Sequence, residues 1–157
     1  MEKKNILIVD DEPEITELIF RHVHDNGWSA ETAANGIEAL AVLKRCAFDV
    51  VICDITMPVL GGMAFMNAVR LSGNNIPFVF LTASGEISHM KEALRLGAFD
   101  YFEKPIGGEE LIEVLSRAKE LSESQQRVVL RLEANHEPVE DLRSAIARIR
   151  AKNNLKR

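Results

Sequence analysis

The sequence has little of several features that mark particular classes of protein. It contains only two cysteines, Cys46 and Cys53, which are too few for a disulfide framework, and we expect both to be free thiols. No apolar run approaches the ~20 residues of a membrane-spanning helix. The first residues run directly into a predicted strand, which leaves no room for a signal peptide. We therefore expect a cytoplasmic protein that has no disulfide and does not enter a membrane.

Positive charge is scarce over most of the chain. Residues 1–121 carry 11 Lys and Arg against 19 Asp and Glu, a net charge of −8. Residues 122–157 carry 8 against 5, a net charge of +3. An acidic surface repels phosphate backbones, and a mildly basic helix is more often a solvated face, so we do not expect nucleic acid as a partner. We interpret the two parts as a globular domain, 1–121, and a helical tail, 122–157.

Short apolar runs alternate with helical patterns five times along the domain. Strands connected by helices of this length are typical of a parallel sheet with right-handed crossovers. The pattern therefore predicts an α/β fold with a doubly wound, five-stranded parallel sheet. The predicted strands are about 5–10, 28–33, 49–53, 77–82 and 99–102, and the predicted helices about 13–26, 37–46, 63–71, 86–96 and a fifth that starts near Gly108.

Polar side chains follow four of these strands. Asp10-Asp11 comes after the first strand and Asp54 after the third, while Thr82 and Lys104-Pro105 follow the fourth and fifth. In an open α/β sheet, ligands bind beyond the carboxyl ends of the strands. Three carboxylates converging there form a hard-oxygen site of the kind that Mg²⁺ occupies. The sequence thus predicts a site that combines acids, a hydroxyl and an ammonium group.

Over about residues 3–121 the chain resembles the receiver domain of two-component response regulators. The resemblance implies the flavodoxin-like strand order 2-1-3-4-5. The matching motifs stand in the family's order and at its spacing: Asp10-Asp11, Asp54-Ile55-Thr56-Met57-Pro58 with Gly62, Thr82-Ala83, Tyr101 and Lys104-Pro105.

The resemblance implies a role for each strand-end residue. Asp54 would be the phospho-acceptor, and a carboxylate can act in this way as a nucleophile on phosphorus. Asp10 and Asp11 would hold Mg²⁺, together with Asp54 and the backbone carbonyl of Thr56. Lys104 would contact the acceptor carboxylate and then the phosphoryl group.

Three further expectations follow from the family. Thr82 would move to hydrogen-bond a phosphoryl oxygen, and Tyr101 would follow it inward and alter the neighbouring surface. The bond between Lys104 and Pro105 is cis in the family, although most X-Pro bonds are trans and the sequence does not reveal the isomer.

The same resemblance implies the partners. The phosphoryl donor would be a histidine kinase or a histidine phosphotransfer protein, and the output a regulated contact with an unnamed downstream protein, without enzymatic activity. Thr56 and Ser84 stand two residues beyond Asp54 and Thr82, where family side chains flank the attacking water. Because two small hydroxyls orient that water poorly, we expect slow to moderate self-dephosphorylation.

The fifth helix is predicted to continue beyond the domain. Polarity at 135–138 predicts a break, and a last helix is predicted at about 139–152. A heptad-like seam favours a homodimer through the tail, or binding of a partner helix. The seam consists of Val114, Ala118, Leu121, Gln125, Val128 and Leu132.

Three alternatives remain open. The chain could be a fragment of a longer regulator, with the tail as its linker helix. It could be a structural adaptor that is never phosphorylated, although the intact set of acids, hydroxyl and lysine argues against this. It could also be a phosphatase of the haloacid dehalogenase type, which needs its nucleophile on the first strand and a second acid two residues later. Here that position is Glu12, at a helix start.

Overall fold

The computed structural model describes residues 4–83 and 85–134 of the chain. Strands and helices alternate along it, and the predicted elements agree closely with those observed. In chain order they are β1 (Lys4–Val9), α1 (Pro13–Asp25), β2 (Trp28–Ala33), α2 (Gly36–Arg45), β3 (Val50–Asp54), α3 (Gly62–Leu71), β4 (Phe78–Thr82), α4 (Ile87–Arg95), β5 (Asp100–Glu103) and α5 (Gly108–Ala134).

The five strands form one parallel sheet in the order β2-β1-β3-β4-β5. This confirms the predicted fold class and strand order. The residues of β3 and β4 are buried throughout, as expected for central strands covered by helices on both faces. The edge strands β2 and β5 are partly exposed.

Successive side chains of each central strand point to opposite faces of the sheet, so each strand contributes to two cores. Leu7 and Val9 pack into one core with Phe65 of α3. Ile6 and Ile8 pack into the other. This second core also contains buried residues of α1 and α5, namely Ile19, Val23, Leu111, Val114, Leu115 and Ala118.

Helix α5 runs without interruption through 27 residues, so the predicted domain boundary at 121 lies inside one helix. Val114 and Ala118 are buried in the core of the same chain. These two residues of the seam therefore pack inside the domain, where a partner helix cannot contact them. Farther along, Lys119 is nearly buried and forms ion pairs with Asp49 and Glu123.

The remaining tail predictions lie outside the described residues. These are the break at 135–138 and the last helix at about 139–152, and the side chain of Leu132 is likewise outside the description. Among the described helices, none combines the length and apolarity needed to cross a membrane.

Candidate functional site

Asp54 is the last residue of β3, and its side chain is buried. Its Oδ1 accepts a hydrogen bond from the Thr56 backbone N–H at 3.1 Å. Its Oδ2 accepts one from the Lys104 ammonium at 3.0 Å. Both carboxylate oxygens thus have a defined environment at the carboxyl end of a central strand, where an open α/β sheet forms its ligand crevice.

Gly62 allows the start of α3 to pack directly against the backbone of Asp54. A Cβ atom at this position would lie 2.2 Å from the Asp54 backbone carbonyl oxygen, closer than any real contact. The Gly62 N–H donates to the Ile55 carbonyl at 2.9 Å, which closes the loop between β3 and α3. A glycine is therefore required here for close backbone approach, and the loop fixes the position of the Asp54 carboxylate.

The Lys104 ammonium lies at the centre of three carboxylates. Its Nζ is 2.7 Å from Glu12 Oε1, 3.0 Å from Asp54 Oδ2 and 3.1 Å from Asp10 Oδ2. The Lys104 backbone N–H donates to the Thr82 carbonyl at 2.9 Å, which holds the end of β5 against β4. The bond between Lys104 and Pro105 is cis, as in the family that the sequence resembles.

Within the described part of the chain, three acids lie close enough together to bind one metal ion and form the acid cluster: Asp10, Glu12 and Asp54. One carboxylate oxygen from each lies within 4.8 Å of the other two. Asp11 is exposed and does not belong to this cluster, although it lines the neighbouring cleft together with Asp10. Sequence reasoning therefore missed Glu12. The signal that could have found it is its position two residues after Asp10, at the N-cap of α1.

The donor set fits a hard divalent cation such as Mg²⁺. Asp10 Oδ1 accepts the Glu12 N–H at 2.9 Å. Asp10 Oδ2 is buried and makes no well-formed hydrogen bond with the described residues, apart from its ion pair with Lys104. Three carboxylates and one ammonium leave two uncompensated negative charges, which one divalent oxygen-binding cation would offset.

Burial has the largest effect on the pKa values of the buried acids Asp10 and Asp54. It raises the pKa of Asp10 and of Asp54, although backbone hydrogen bonds and the nearby Lys104 ammonium act in the opposite direction. Burial alone would lower the pKa of Lys104, but its contacts with the Glu12, Asp54 and Asp10 carboxylates outweigh that effect and raise it. Lys104 therefore remains a cation whenever these acids are ionised.

Thr82 and Tyr101, the predicted switch residues, lie on β4 and β5. The Thr82 side chain is buried, but its hydroxyl donates to Glu86 Oε2 at 2.9 Å, next to α4. Tyr101 lies on the edge strand β5 and is 36% exposed. Asp10, Asp54 and Lys104 thus meet directly, while the hydroxyl of Thr82 is engaged elsewhere. The Thr56 carbonyl stays a prediction as a metal ligand.

A family model described as the response regulator receiver domain matches residues 6–116. This chain belongs to that family. The match includes all four strand ends that carry Asp10, Asp54, Thr82 and Lys104. The sequence resemblance is thereby confirmed at the level of the receiver domain of two-component systems.

The receiver family includes a curated relative from Mycobacterium tuberculosis, the transcriptional regulatory protein TrcR. The chain is 38% identical to it over 107 residues, which cover 68% of this chain and 42% of the relative. A response regulator MprA from a Mycobacterium species is 37% identical over 107 residues, which cover 68% of this chain and 46% of that protein. The chain thus spans less than half the length of these relatives.

Solved receiver structures have the same fold. The receiver domain of NtrX from Brucella abortus is 34% identical, with a TM-score of 0.71. The alignment covers 73% of this chain and 98% of that domain. The receiver part of this chain therefore corresponds to a nearly complete receiver domain in a solved structure.

Proposed function

We propose that this receiver domain accepts a phosphoryl group on Asp54 from a phosphohistidine donor, with Mg²⁺ as cofactor. The observation that carries the proposal is the position of Asp54 Oδ2, 3.0 Å from the Lys104 ammonium and within the cluster formed with Asp10 and Glu12. A carboxylate between a fixed cation and a cluster of oxygen ligands is suited to become an acyl phosphate. The donor is a histidine kinase or a histidine phosphotransfer protein.

The transfer requires one bond to form and one to break. A carboxylate oxygen of Asp54 attacks the phosphorus and forms a P–O bond. The P–N bond of the phosphohistidine breaks, and its electron pair returns to the imidazole ring of the donor. No group on this chain needs to remove a proton, because the nucleophile is already a carboxylate. Positioning and charge stabilisation therefore supply the catalysis.

The residues around Asp54 stabilise the transferred charge. Lys104, which keeps its proton, is within reach to exchange its contact with Asp54 for one with a phosphoryl oxygen. Asp10, Glu12 and Asp54 would hold Mg²⁺, which when bound offsets the negative charge of the phosphoryl oxygens. Asp11 could complete this set through water, because it lines the same opening as Asp10.

A cleft beside the acids would receive part of the donor. It lies between α1 and β2, has a volume of about 300 Å³, and is lined by Asp10, Asp11, Pro13, Phe20 and Thr32 among others. Apolar and polar groups therefore line a cleft next to Asp10, a member of the acid cluster. This arrangement supports docking of another protein next to the acceptor.

Phosphorylation by acetyl phosphate with Mg²⁺, followed by intact mass, tests the acceptor. The wild type should gain one phosphoryl group, and Asp54→Ala should gain none. Asp25→Ala, which removes an exposed acid at the end of α1, is the matched control and should behave as the wild type. Acceptance by Asp54→Ala at the wild-type rate would refute the site, and the adaptor alternative would gain support if the wild type stayed unmodified.

We propose that the domain has no output chemistry of its own. The residue that a phosphatase of the haloacid dehalogenase type would use as its second acid, Glu12, is paired with Lys104. Incubation with a small phosphate ester should therefore give no turnover.

Once phosphorylated, the protein should lose its phosphate slowly to moderately, and a half-life of seconds with Mg²⁺ present would contradict this.

We propose that α5 also mediates a homodimer, through the part of the seam that is not absorbed by the core. Leu121, Gln125 and Val128 are half-buried and follow one another on one side of the helix. Light scattering with and without beryllofluoride and Mg²⁺ tests this, since beryllofluoride stands in for the phosphoryl group. Val128→Glu should lower the mass of a dimer, whereas Ser124→Glu, on an exposed position, should not.

A solution mass that changes with beryllofluoride would show that dimerisation depends on occupation of Asp54. A dimer with and without beryllofluoride would show that α5 holds the two copies together in both states. A constant monomer would refute self-pairing and favour a partner helix. If the chain is a piece of a longer regulator, as the length of TrcR and MprA allows, the same site would control that protein's output. For the acidic domain itself we propose protein rather than nucleic-acid partners.

A further inference from the structure

The hydroxyl of Thr82 is held by a residue outside the acid cluster. Thr82 Oγ1 lies 2.9 Å from Glu86 Oε2 and 3.2 Å from the Ala83 carbonyl oxygen. The Thr82 side chain is fully buried, so its hydroxyl is closed to solvent. A hydrogen bond to a charged carboxylate is stronger than one between neutral groups. Glu86 therefore restrains the rotation of the threonine side chain.

Glu86 also stands at the start of α4. It occupies the N-cap position, yet its side chain makes no capping hydrogen bond to the helix. Oε2 of the same carboxylate lies 3.9 Å from His89 Nδ1, one turn along the helix. The first N–H groups of a helix have no partner within the helix and favour negative charge nearby. Glu86 thus has an alternative environment within reach if it loses Thr82.

A threonine hydroxyl has a single proton to donate. While Thr82 donates that proton to Glu86, it cannot donate it to a phosphoryl oxygen on Asp54. The two hydrogen bonds are mutually exclusive, so the strength of one reduces the apparent strength of the other.

We propose that Glu86 is a positioning residue that holds Thr82 away from the phosphorylation site and so opposes occupation of that site. The inference rests on the proposed function, because it assumes that Asp54 receives a phosphoryl group. When Asp54 carries a phosphoryl group, the Thr82 hydroxyl gives up its hydrogen bond to Glu86 and donates to a phosphoryl oxygen. The released Glu86 carboxylate then turns to the N–H groups of α4 or to His89. The state of the site is in this way coupled to the beginning of α4.

Titration with beryllofluoride and Mg²⁺, followed by ¹⁹F NMR of the bound fluoride, measures the effect. Glu86→Ala should bind beryllofluoride roughly three- to ten-fold more tightly than the wild type, as expected for the loss of one competing hydrogen bond. Glu86→Gln keeps an acceptor oxygen but forms a weaker, neutral hydrogen bond, so its affinity should lie between those of the wild type and Glu86→Ala. Glu92→Ala removes the same charge from an exposed position of α4 and should leave the affinity unchanged.

A second pair of variants tests whether Glu86 acts through Thr82. In a Thr82→Val background the hydroxyl is gone, so Glu86→Ala should no longer change the affinity. Urea unfolding of each variant shows that the compared proteins are folded. Only an effect transmitted through the Thr82 hydroxyl produces this loss of additivity.

Each contrary result has a separate meaning. Equal affinities of Glu86→Ala and Glu86→Gln, both tighter than the wild type, would indicate simple charge repulsion and overturn the inference. An effect of Glu86→Ala that persists in the Thr82→Val background would overturn it as well, as would equal binding by Glu86→Ala and the wild type. Absence of binding by the wild type would overturn the proposed function and this inference with it.

Discussion

The Lys104 ammonium lies 2.7 Å from the carboxylate of Glu12, a residue 92 positions earlier in the chain. An ammonium has three N–H donors, and here Glu12, Asp10 and Asp54 surround it. Glu12 is the most exposed of the three acids, and its side chain is 57% exposed. It is therefore the partner of Lys104 that is most open to solvent.

Replacing Glu12 by Gln should weaken Mg²⁺ binding. The substitution removes one of three negative charges from the acid cluster and keeps the size of the side chain. We expect an affinity about ten-fold lower, because affinity for hard cations follows the number of charged oxygen ligands. Isothermal titration calorimetry with Mg²⁺ measures it. Glu14→Gln, an exposed acid in the first turn of α1, is the control, and an equal loss there would point to general surface charge.

Replacing Asp10 by Asn should stabilise the fold at neutral pH without Mg²⁺. The Asp10 carboxylate is buried, and Lys104 retains two other carboxylates when Asp10 is lost. Removal of a buried charge under these conditions should raise the free energy of unfolding by about 1 kcal/mol. Urea unfolding in EDTA measures the gain. Asp11→Asn, at an exposed neighbour, should have little effect.

The advantage of Asp10→Asn should decrease as the pH is lowered. Burial raises the pKa of Asp10 above its ordinary value of 3.8, so the folded protein binds this proton more strongly than the unfolded chain does. The wild type therefore regains stability as the pH falls through the raised pKa toward 3.8, while the variant has no such group. A difference between the two proteins that stays constant with pH would contradict the proposed cause.

Gly62→Ala should destabilise the protein and disturb the acceptor. The new Cβ would lie 2.2 Å from the Asp54 carbonyl oxygen, and backbone atoms must move to relieve the overlap. We expect a loss of about 2 kcal/mol or more in the free energy of unfolding, together with slower phosphorylation. Gly107→Ala, where an added Cβ meets no atom within 4 Å, is the control. Equal behaviour of the two variants would remove the argument for Gly62.

Val59→Gly should stabilise the protein. Val59 has a φ of 69° at the centre of a tight turn in which the Leu60 N–H donates to the Pro58 carbonyl at 2.8 Å. A β-branched residue is strained in this conformation, and Val59 is 79% exposed, so little packing is lost. The expected gain, after the entropy of an added glycine, is about 1 kcal/mol by thermal or urea unfolding.

Val59→Ala separates strain from loss of the side chain. Alanine removes the branched side chain but keeps a Cβ atom, so it should recover less stability than glycine. Alanine and glycine giving the same gain would show that the left-handed backbone of this turn is not the source of the effect.

The sequence by itself determined the architecture and the location of the site. Alternating apolar runs and helical patterns predicted the parallel sheet, because a buried strand must be apolar on both faces. Asp10, Asp54 and Lys104 lie at the ends of three of these strands, and parallel strands end at the same edge of the sheet. Their convergence could therefore be predicted without coordinates.

The tertiary structure decided which partner each remaining side chain takes. Glu12 and Glu86 read as ordinary acids at helix starts, and only the folded chain brings them to Lys104 and to Thr82. Periodicity likewise placed Val114 and Ala118 on a helical seam, but it cannot distinguish a partner helix from the chain's own sheet. Helical spacing indicates that one face of a helix is apolar. Which surface packs against that face depends on elements that are distant in the sequence.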